Sequence, residues 1–521
     1  MINQKQSSTR YSLITLLIVI SASANALERP QTMDDMWKII QAQQKQIDDM
    51  KAAMATASTS AKTNTNPNTA IVATTTPKAD VTNGAQQSVE NNVNPNSTVS
   101  TDAKASTSSV KNLERKTNIL SQEVEKLRTN LAIPEEKQLK SAYGMGPAAS
   151  KVYQVGKGLS IGGYGEGFYQ DVVGNKGQMN SDGTLKNSSN ADLERMVVYV
   201  GYKFNDKMLF NSELEFEHAS SGQGSESKGE VSAEFASLDF FFNPMVNARA
   251  GLVLMPIGTT NRMHEPLFYF GNHRPVVEQL IIPTTWTEMG AGIFGSITPN
   301  LSYTTYVVNG LDAKSFTSNG INEGIGGGSR AKAQSFGYIG QTNYDPDALP
   351  GVTVGGSAYV GNAGQDQVFN GQKPNVLTQL YEGHVQWKYR GFEFRTLGSW
   401  GLINNAGILS QAAGAIPITG QGVIGSQNYG WYSEVGYDVL PLIIKDTPQY
   451  LAPFFRFEKL NTIAKAPTGF SADPTKDWQI FQFGLQYKPH PQVVLKADYR
   501  NFTAKQGTQP SDFNLGFGFI F

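Results

Sequence analysis

Residues 511–521 read SDFNLGFGFIF. Phe513, Leu515, Phe517, Phe519 and Phe521 occupy every second position, and Asp512, Asn514, Gly516 and Gly518 lie between them. Side chains of a strand alternate between its two faces, so this stretch has one aromatic face and one polar or empty face. The same period recurs at Phe210, Leu214 and Phe216 against Asn211, Glu213, Glu215 and Glu217, and at Leu495, Ala497 and Tyr499 against Lys496, Asp498 and Arg500. It is found again at Tyr381, Val385, Trp387 and Tyr389 against Glu382, His384, Gln386 and Lys388. A soluble sandwich also alternates, but its strands average about 5–6 residues. The strands expected here are longer, with charges in mid-strand opposite the aromatics, as a water-filled lumen requires.

The connections between these strands alternate in length. Short turns are expected at 205–206, 243–244, 298–300, 345–350, 390–391, 442–449 and 489–492. Longer polar loops are expected at about 172–190, 219–228, 256–286, 310–331, 363–376, 404–428, 461–475 and 504–511. Seven turns and eight loops join about sixteen strands. The fold class that follows is an all-β membrane protein: an antiparallel transmembrane β-barrel over 158–521, wide enough to enclose an aqueous channel.

Composition narrows the function. The chain has 521 residues, 43 Lys plus Arg against 44 Asp plus Glu, and no Cys. Disulfides, thiolate metal sites and cysteine nucleophiles are excluded. A net charge of −1 argues against a nucleic-acid partner, because phosphate binding needs a basic face. A mean hydropathy of −0.32 excludes a multi-helix membrane protein.

The chain before the barrel is of a different kind. Lys5 and Arg10, an apolar run from Leu13 to Ile20, and Ala24-Asn25-Ala26 have the form of a secretory signal over 1–26. Within 27–54, Met36, Ile40, Gln43, Ile47, Met50 and Met54 make a heptad seam. Within 110–133 the seam is Val110, Leu113, Thr117, Leu120, Val124, Leu127 and Leu131, and Pro134 stops it. Both are expected to be coiled-coil segments, although an amphipathic helix lying on its own domain has the same stripe. Residues 55–109 are rich in Thr, Asn, Ala and Ser and hold no aromatic residue, the composition of a disordered linker reaching on the order of 40 Å. Residues 134–157 read as a second linker.

The third long loop is the most unusual. It combines prolines, aromatics and the charged or polar set Arg262, His264, Glu265, His273, Arg274 and Glu278. A loop this apolar needs a surface to pack on. Folded into the barrel it would form a pore constriction from those six residues; an outward cap or packing on a neighbouring subunit is the alternative. The stretch GLVLMPIGTTNRMHEPLFYFGNHRPVVEQLIIPTTWTEMGAGIFG (251–295) resembles the corresponding region of the phosphate-selective porin O and P family. The resemblance implies a sixteen-stranded homotrimeric barrel with its third loop in the pore. It also implies that Phe521 is the assembly signal read by the barrel-assembly machinery. The heptads look like periplasmic trimerisation segments of other porins.

Phosphate selectivity does not follow from the resemblance. Residues 158–521 hold 25 Lys plus Arg and 31 Asp plus Glu, a net of −6. The expected lumen charges are mixed: Arg195, Lys203, Arg249, Arg395, Arg456, Lys496 and Arg500 against acids that include Glu213, Glu215 and Glu217. These set a transverse field or pair across strands.

No enzyme is expected. Gly163-Tyr164-Gly165-Glu166-Gly167 lies in a strand and opens no helix, and His264-Glu265 lacks the second His of a zinc helix. The expected function is a bacterial outer-membrane porin for passive diffusion of small hydrophilic solutes or ions, needing neither cofactor nor metal. The partners are outer-membrane lipid and two further copies of the chain, with the N-terminal arm in the periplasm near peptidoglycan or a protein there. The alternative is a structural anchor that tethers the membrane through that arm.

The short seams, weakened by Gln43 and Thr117, are expected to add less to a trimer than the barrel contacts do. Removing 27–140 should leave detergent-extracted trimers intact on native gels; monomeric barrels would assign oligomerisation to the arm.

Overall fold

The structure, a computed structural model, describes residues 140–173, 189–219, 229–507 and 509–521. The expected signal, both coiled-coil segments and the linker between them lie outside the described residues.

Sixteen antiparallel strands form one closed barrel in which every strand pairs with its neighbours in sequence and β1 pairs with β16. They are β1 (Gly158–Val173), β2 (Asn190–Asn205), β3 (Met208–Glu217), β4 (Val231–Phe241), β5 (Asn247–Leu254), β6 (Thr287–Thr298), β7 (Leu301–Asn309) and β8 (Phe336–Tyr344). The second half comprises β9 (Val352–Asn362), β10 (Leu377–Tyr389), β11 (Phe392–Ile403), β12 (Gln427–Tyr437), β13 (Tyr450–Lys465), β14 (Asp477–His490), β15 (Val493–Ala504) and β16 (Ser511–Ile520). Strand number and turn positions follow the alternation. The differences are at boundaries: β13 runs to Lys465, five residues into the loop expected from 461, because Thr462 is buried and continues the inward period of Ala452 to Leu460. The fourth loop extends to Ser335, ahead of β8.

The outer face is apolar and aromatic. Tyr338 is 61% exposed and Phe483 54%, while their chain neighbours Ile339 and Gln482 are buried on the other face. Such an outer surface suits hydrocarbon, and a closed ladder leaves no backbone group unpaired in it.

The seam shows why β1 carries its glycines. Gly165 stands opposite Phe519 and Gly167 opposite Phe517. A Cβ on Gly165 would lie 2.7 Å from the Phe519 ring, and one on Gly163 would lie 2.7 Å from Phe521. The aromatic rings of β16 cover the outward glycines of β1, a device that also fixes register. Gly163 and Phe521 exchange both backbone hydrogen bonds, at 3.0 and 2.9 Å.

Where the sequence suggests only a linker before the barrel, the structure places a packed segment. Met145, Ala148, Ala149 and Val152 are buried, and Lys151–Gln154 forms one helical turn. The Asn211 amide donates to the Ala149 carbonyl at 2.9 Å, and the Tyr153 hydroxyl donates to Asp239 at 2.8 Å. Asn211 and Asp239 belong to the inward faces of β3 and β4, so residues 141–154 lie against the inner wall at the short-turn end. Gly162 and Gly201 make room for them: a Cβ at Gly201 would stand 2.6 Å from Val152.

Gly201→Leu should therefore expel the segment and leave the barrel closed. Tryptic cleavage after Lys151 should accelerate roughly tenfold or more, while the heat-shifted band of a folded barrel persists on gels. Unchanged cleavage in a folded variant would contradict this packing.

Candidate functional site

Inner-face charges pair across neighbouring strands. Arg249 meets Asp239 at 2.6 Å, Arg395 meets Glu434 at 3.0 Å, and Arg456 meets the same Glu434 at 2.8 Å. Arg500 holds Asp512 at 2.7 Å. Arg195 lies 3.0 Å from Glu166 and 3.3 Å from Glu215. Lys203 sits beside the short turn, 3.5 Å from the exposed Asp206. Glu217 ends β3 at the long-loop end and lines a pocket of about 660 Å³ with Glu215, Glu230 and Glu234. A second pocket, of about 780 Å³, is lined by Tyr143, Arg262, Phe294 and Tyr303 near the short turns.

The third loop, 255–286, bonds to that same inner face around most of the circumference. Its carbonyls meet basic side chains. Lys488 donates to Leu267 at 3.0 Å, Arg395 to Phe268 at 2.7 Å, Lys496 to Tyr269 at 3.2 Å and Arg456 to Phe270 at 2.6 Å. Its N–H groups meet acids. Val277 donates to Glu458 at 3.0 Å, Asn272 to Asp498 at 2.7 Å, and Gly258 to Glu382 at 3.3 Å. A buried irregular segment must find partners for its backbone, and these charges supply them. The apolar side of the loop (Met255, Ile257, Val277, Ile281, Trp286) packs into a cluster with Tyr359, Leu380 and Leu460 from the wall and Leu311, Phe316 and Ile424 from later loops.

The six expected constriction residues have separate fates. Arg262 reaches Thr304 at 3.3 Å, Gln341 and the Tyr143 carbonyl. His264 sets Nδ1 against the Asn261 carbonyl at 2.8 Å and Nε2 against Glu213 at 3.1 Å. A carbonyl only accepts, so Nδ1 carries a proton. Burial, aided by the charge of Arg274, brings this imidazole down to about 3. His273 faces Asn514 at 3.3 Å and packs edge-on to Phe168; burial and then Arg500 hold it well below the ordinary histidine range.

Glu278 accepts from Thr259 N and Thr260 N at 2.8 Å each, from Thr259 Oγ1 at 2.7 Å and from Tyr432 Oη at 2.6 Å. Those four bonds use the carboxylate's accepting capacity inside the protein, so Glu278 ties the loop to β12. Gly258, at φ +69°, gives the carboxylate room. Arg274 donates through Nη1 to Thr284 at 2.7 Å and Thr285 at 2.9 Å. Its Nε and Nη2 meet no protein acceptor among the described residues.

Sequence reasoning passed over Tyr164, Tyr269 and Asn272. Tyr164 is fully buried on the inner face, and the two-residue period of β1 would have placed it there. Among the described residues no group of three or more His, Asp or Glu is arranged to hold a metal ion.

No family model matches the chain. An uncharacterised protein of Aquifex aeolicus (strain VF5) is 37% identical over 380 residues, 72% of this chain and 82% of the relative. The chain belongs to that protein's family. Solved structures similar to it include OmpF of Salmonella typhi in complex with daunomycin, with 12% identity, 70% of this chain and 98% of that one covered, and a TM-score of 0.45. The outer-membrane channel DcaP of Acinetobacter baumannii has 12% identity, covers 70% and 97%, and gives 0.43. An anion-selective porin from Comamonas acidovorans has 10% identity, covers 70% and 99%, and gives 0.42.

Glu265 joins the loop to the pre-barrel segment, accepting from Ala148 N at 2.9 Å and Ala149 N at 3.2 Å. Burial pushes its carboxyl up to about 8, although both N–H groups pull it down. A carboxyl raised from its ordinary 4.5 stabilises the packed state fully below about 4.5, and that contribution is lost as pH rises toward 8. A thiol placed by Val152→Cys should thus become more reactive between pH 6 and 9 by roughly tenfold beyond the change for a free thiol. Glu265→Gln should flatten that excess; an equal excess in both backgrounds would contradict the role of Glu265.

Proposed function

We propose that the chain is an outer-membrane porin, passing small hydrophilic solutes or ions passively through the barrel, with the 255–286 loop folded inward as its constriction. One observation carries the reading: a closed barrel of sixteen strands has an aromatic outer face and an inner face crowded with Arg, Lys, Asp and Glu. Part of this charge holds the loop's backbone, and water or polar solutes sharing the space would lower the several kcal/mol that each unpaired charge costs in a dry interior. Sixteen strands enclose more room than their own side chains fill. The loop's bonds to strands on opposite sides of the wall, from Glu213 on β3 to Arg456 on β13, support an inward course.

In this reading the constriction is asymmetric. Arg262, His264, Glu265, His273 and Glu278 are engaged with protein partners, and Arg274 keeps one edge of its guanidinium free among the described residues. The acidic pocket at Glu215, Glu217, Glu230 and Glu234 forms an antechamber at the long-loop end, which we assign to the cell exterior. The charges near the short turns face the periplasm. Three copies form the working unit.

A second reading, a membrane anchor, has one observation in its favour: residues 141–154 occupy part of the inner mouth. Planar-bilayer recording separates the two. The porin reading expects discrete conductance steps in KCl, and deletion of 262–274 should raise the step size by roughly twofold or more. Absence of steps from folded protein would favour the anchor. Steps unchanged by the deletion would place the loop outside the conducting path.

A further inference from the structure

Five arginines of the inner face, Arg195, Arg249, Arg395, Arg456 and Arg500, each pair with a carboxylate. Arg262, from the third loop, does not. Its hydrogen bonds among the described residues go to the Tyr143 carbonyl at 3.4 Å, to Thr304 Oγ1 at 3.3 Å and to Gln341, all of them neutral. The guanidinium lies flat on the pre-barrel segment. Gly144, at φ +78°, leaves it room, and a Cβ there would stand 2.6 Å from the Arg262 Cζ. Burial, aided by the charge of Arg249, brings the group down to about 10 against an upward pull from Tyr306, so it stays charged at neutral pH.

Arg262 lines the cavity of about 780 Å³ near the short turns, a volume within the range of small-molecule sites. Lys140 lines it too, and among the described residues no Asp or Glu does. Strand register gathers polar side chains beside the guanidinium. Thr304 stands opposite Gln341; two residues back along β7, on the same face, Ser302 stands opposite Ser296 of β6 and Asn343 of β8. Directly opposed side chains on one face lie about 5 Å apart. Ser296, Ser302 and Asn343 therefore form a row one step from the bonds of Arg262 to Thr304 and Gln341, and all three line the cavity. The two serine hydroxyls have no protein hydrogen-bond partner among the described residues, and the Asn343 Nδ2 makes only a long bond of 3.5 Å to Gln341. Tyr143 and Phe294, edge-on at 5.1 Å, supply an apolar wall.

We infer that this cavity binds a small hydroxylated anion of the sugar-acid class, its carboxylate paired with Arg262 and its hydroxyls laid along Ser296, Ser302 and Asn343. The inference rests on the porin reading and names a solute class for the mouth at the short turns. The carboxylate supplies the counter-charge that this arginine lacks, and a charge-assisted hydrogen bond is about twice as strong as a neutral one. The row offers both donors and acceptors to a polyol chain. Tyr143 and Phe294 take its C–H side. An apolar anion leaves the row without a partner, and a neutral polyol leaves Arg262 without one.

Calorimetry on the folded full-length protein in detergent tests this with four probes: D-gluconate, sorbitol, hexanoate and inorganic phosphate. Sorbitol keeps the hydroxyls of gluconate without its charge, hexanoate keeps the carboxylate without the hydroxyls, and phosphate is a compact anion. Gluconate should bind at least about tenfold tighter than any of the other three. Arg262→Gln should bring gluconate down to the level of sorbitol. Ser296→Ala with Ser302→Ala should weaken gluconate severalfold and leave hexanoate where it was. Should Arg262→Gln fail to give the heat-shifted band of a folded barrel, the double serine variant, which touches no bond of the loop, decides alone. Hexanoate or phosphate binding as tightly as gluconate, gluconate unaffected by the serine changes, or no binding of gluconate would overturn the proposal. Conductance of the same preparation in KCl is read separately: absence of steps sinks the porin reading, while calorimetry still decides the site.

Discussion

Everything in this molecule depends on the pairing of its first strand with its last. A membrane interior offers no water to an unpaired N–H or carbonyl, so a sheet can exist there only without edges. The β1–β16 ladder removes both edges at once. Its register is held from two sides: the exchange of backbone bonds between Gly163 and Phe521, and the rings of Phe517, Phe519 and Phe521 laid over the outward glycines of β1. A slip of one residue would turn Glu166 and Tyr164 to the lipid and set the glycines against the interior. The alternation in every other strand is meaningful only once this seam closes.

Closure creates the next problem, an interior too wide for side chains to fill. Two segments bond to the inner wall, the third loop and residues 141–154. Irregular backbone brings its own unsatisfied groups, and the inner wall meets them with charge. Arg395, Arg456, Lys488 and Lys496 take successive carbonyls from Leu267 to Phe270, and Glu458 and Asp498 take N–H groups farther along. Most of the wall's charge is thereby committed to holding protein in place. Arg274 is the exception in the loop's charged set: its Nε and Nη2 have no hydrogen-bond partner among the described residues.

The barrel was legible in the chain because a period of two is local: Phe513 to Phe521, or Glu213 to Glu217, reveals its faces without any knowledge of partners. Short and long connections were legible for the same reason. The insertion of 141–154 was not. Its seats are Gly162, Gly201 and Asn211, distant in sequence, and nothing in Ala148-Ala149-Ser150 advertises a pairing with them. The third loop's composition marked it as packed, and all six of its charged or polar residues were visible. Which of them stays unengaged was not, since Glu278 is consumed by Thr259, Thr260 and Tyr432 while Arg274 is not, and only tertiary contacts distinguish the two. The charged positions share a two-residue period that the sequence displays, yet their bonds to the loop's backbone leave no trace in spacing.

The central claim is that water and solute pass along the inner face while the aromatic face meets lipid. The chain has no Cys, so a single introduced thiol reports one position. Glu217→Cys places it in the pocket at the long-loop end, and Phe455→Cys places it on the outer face of β13. Each variant is recorded in a planar bilayer while a charged, water-soluble methanethiosulfonate reagent is added. The account predicts that current changes stepwise on modification at 217 and stays constant at 455. Modification at 217 that leaves the current untouched, or a change produced at 455, would contradict it.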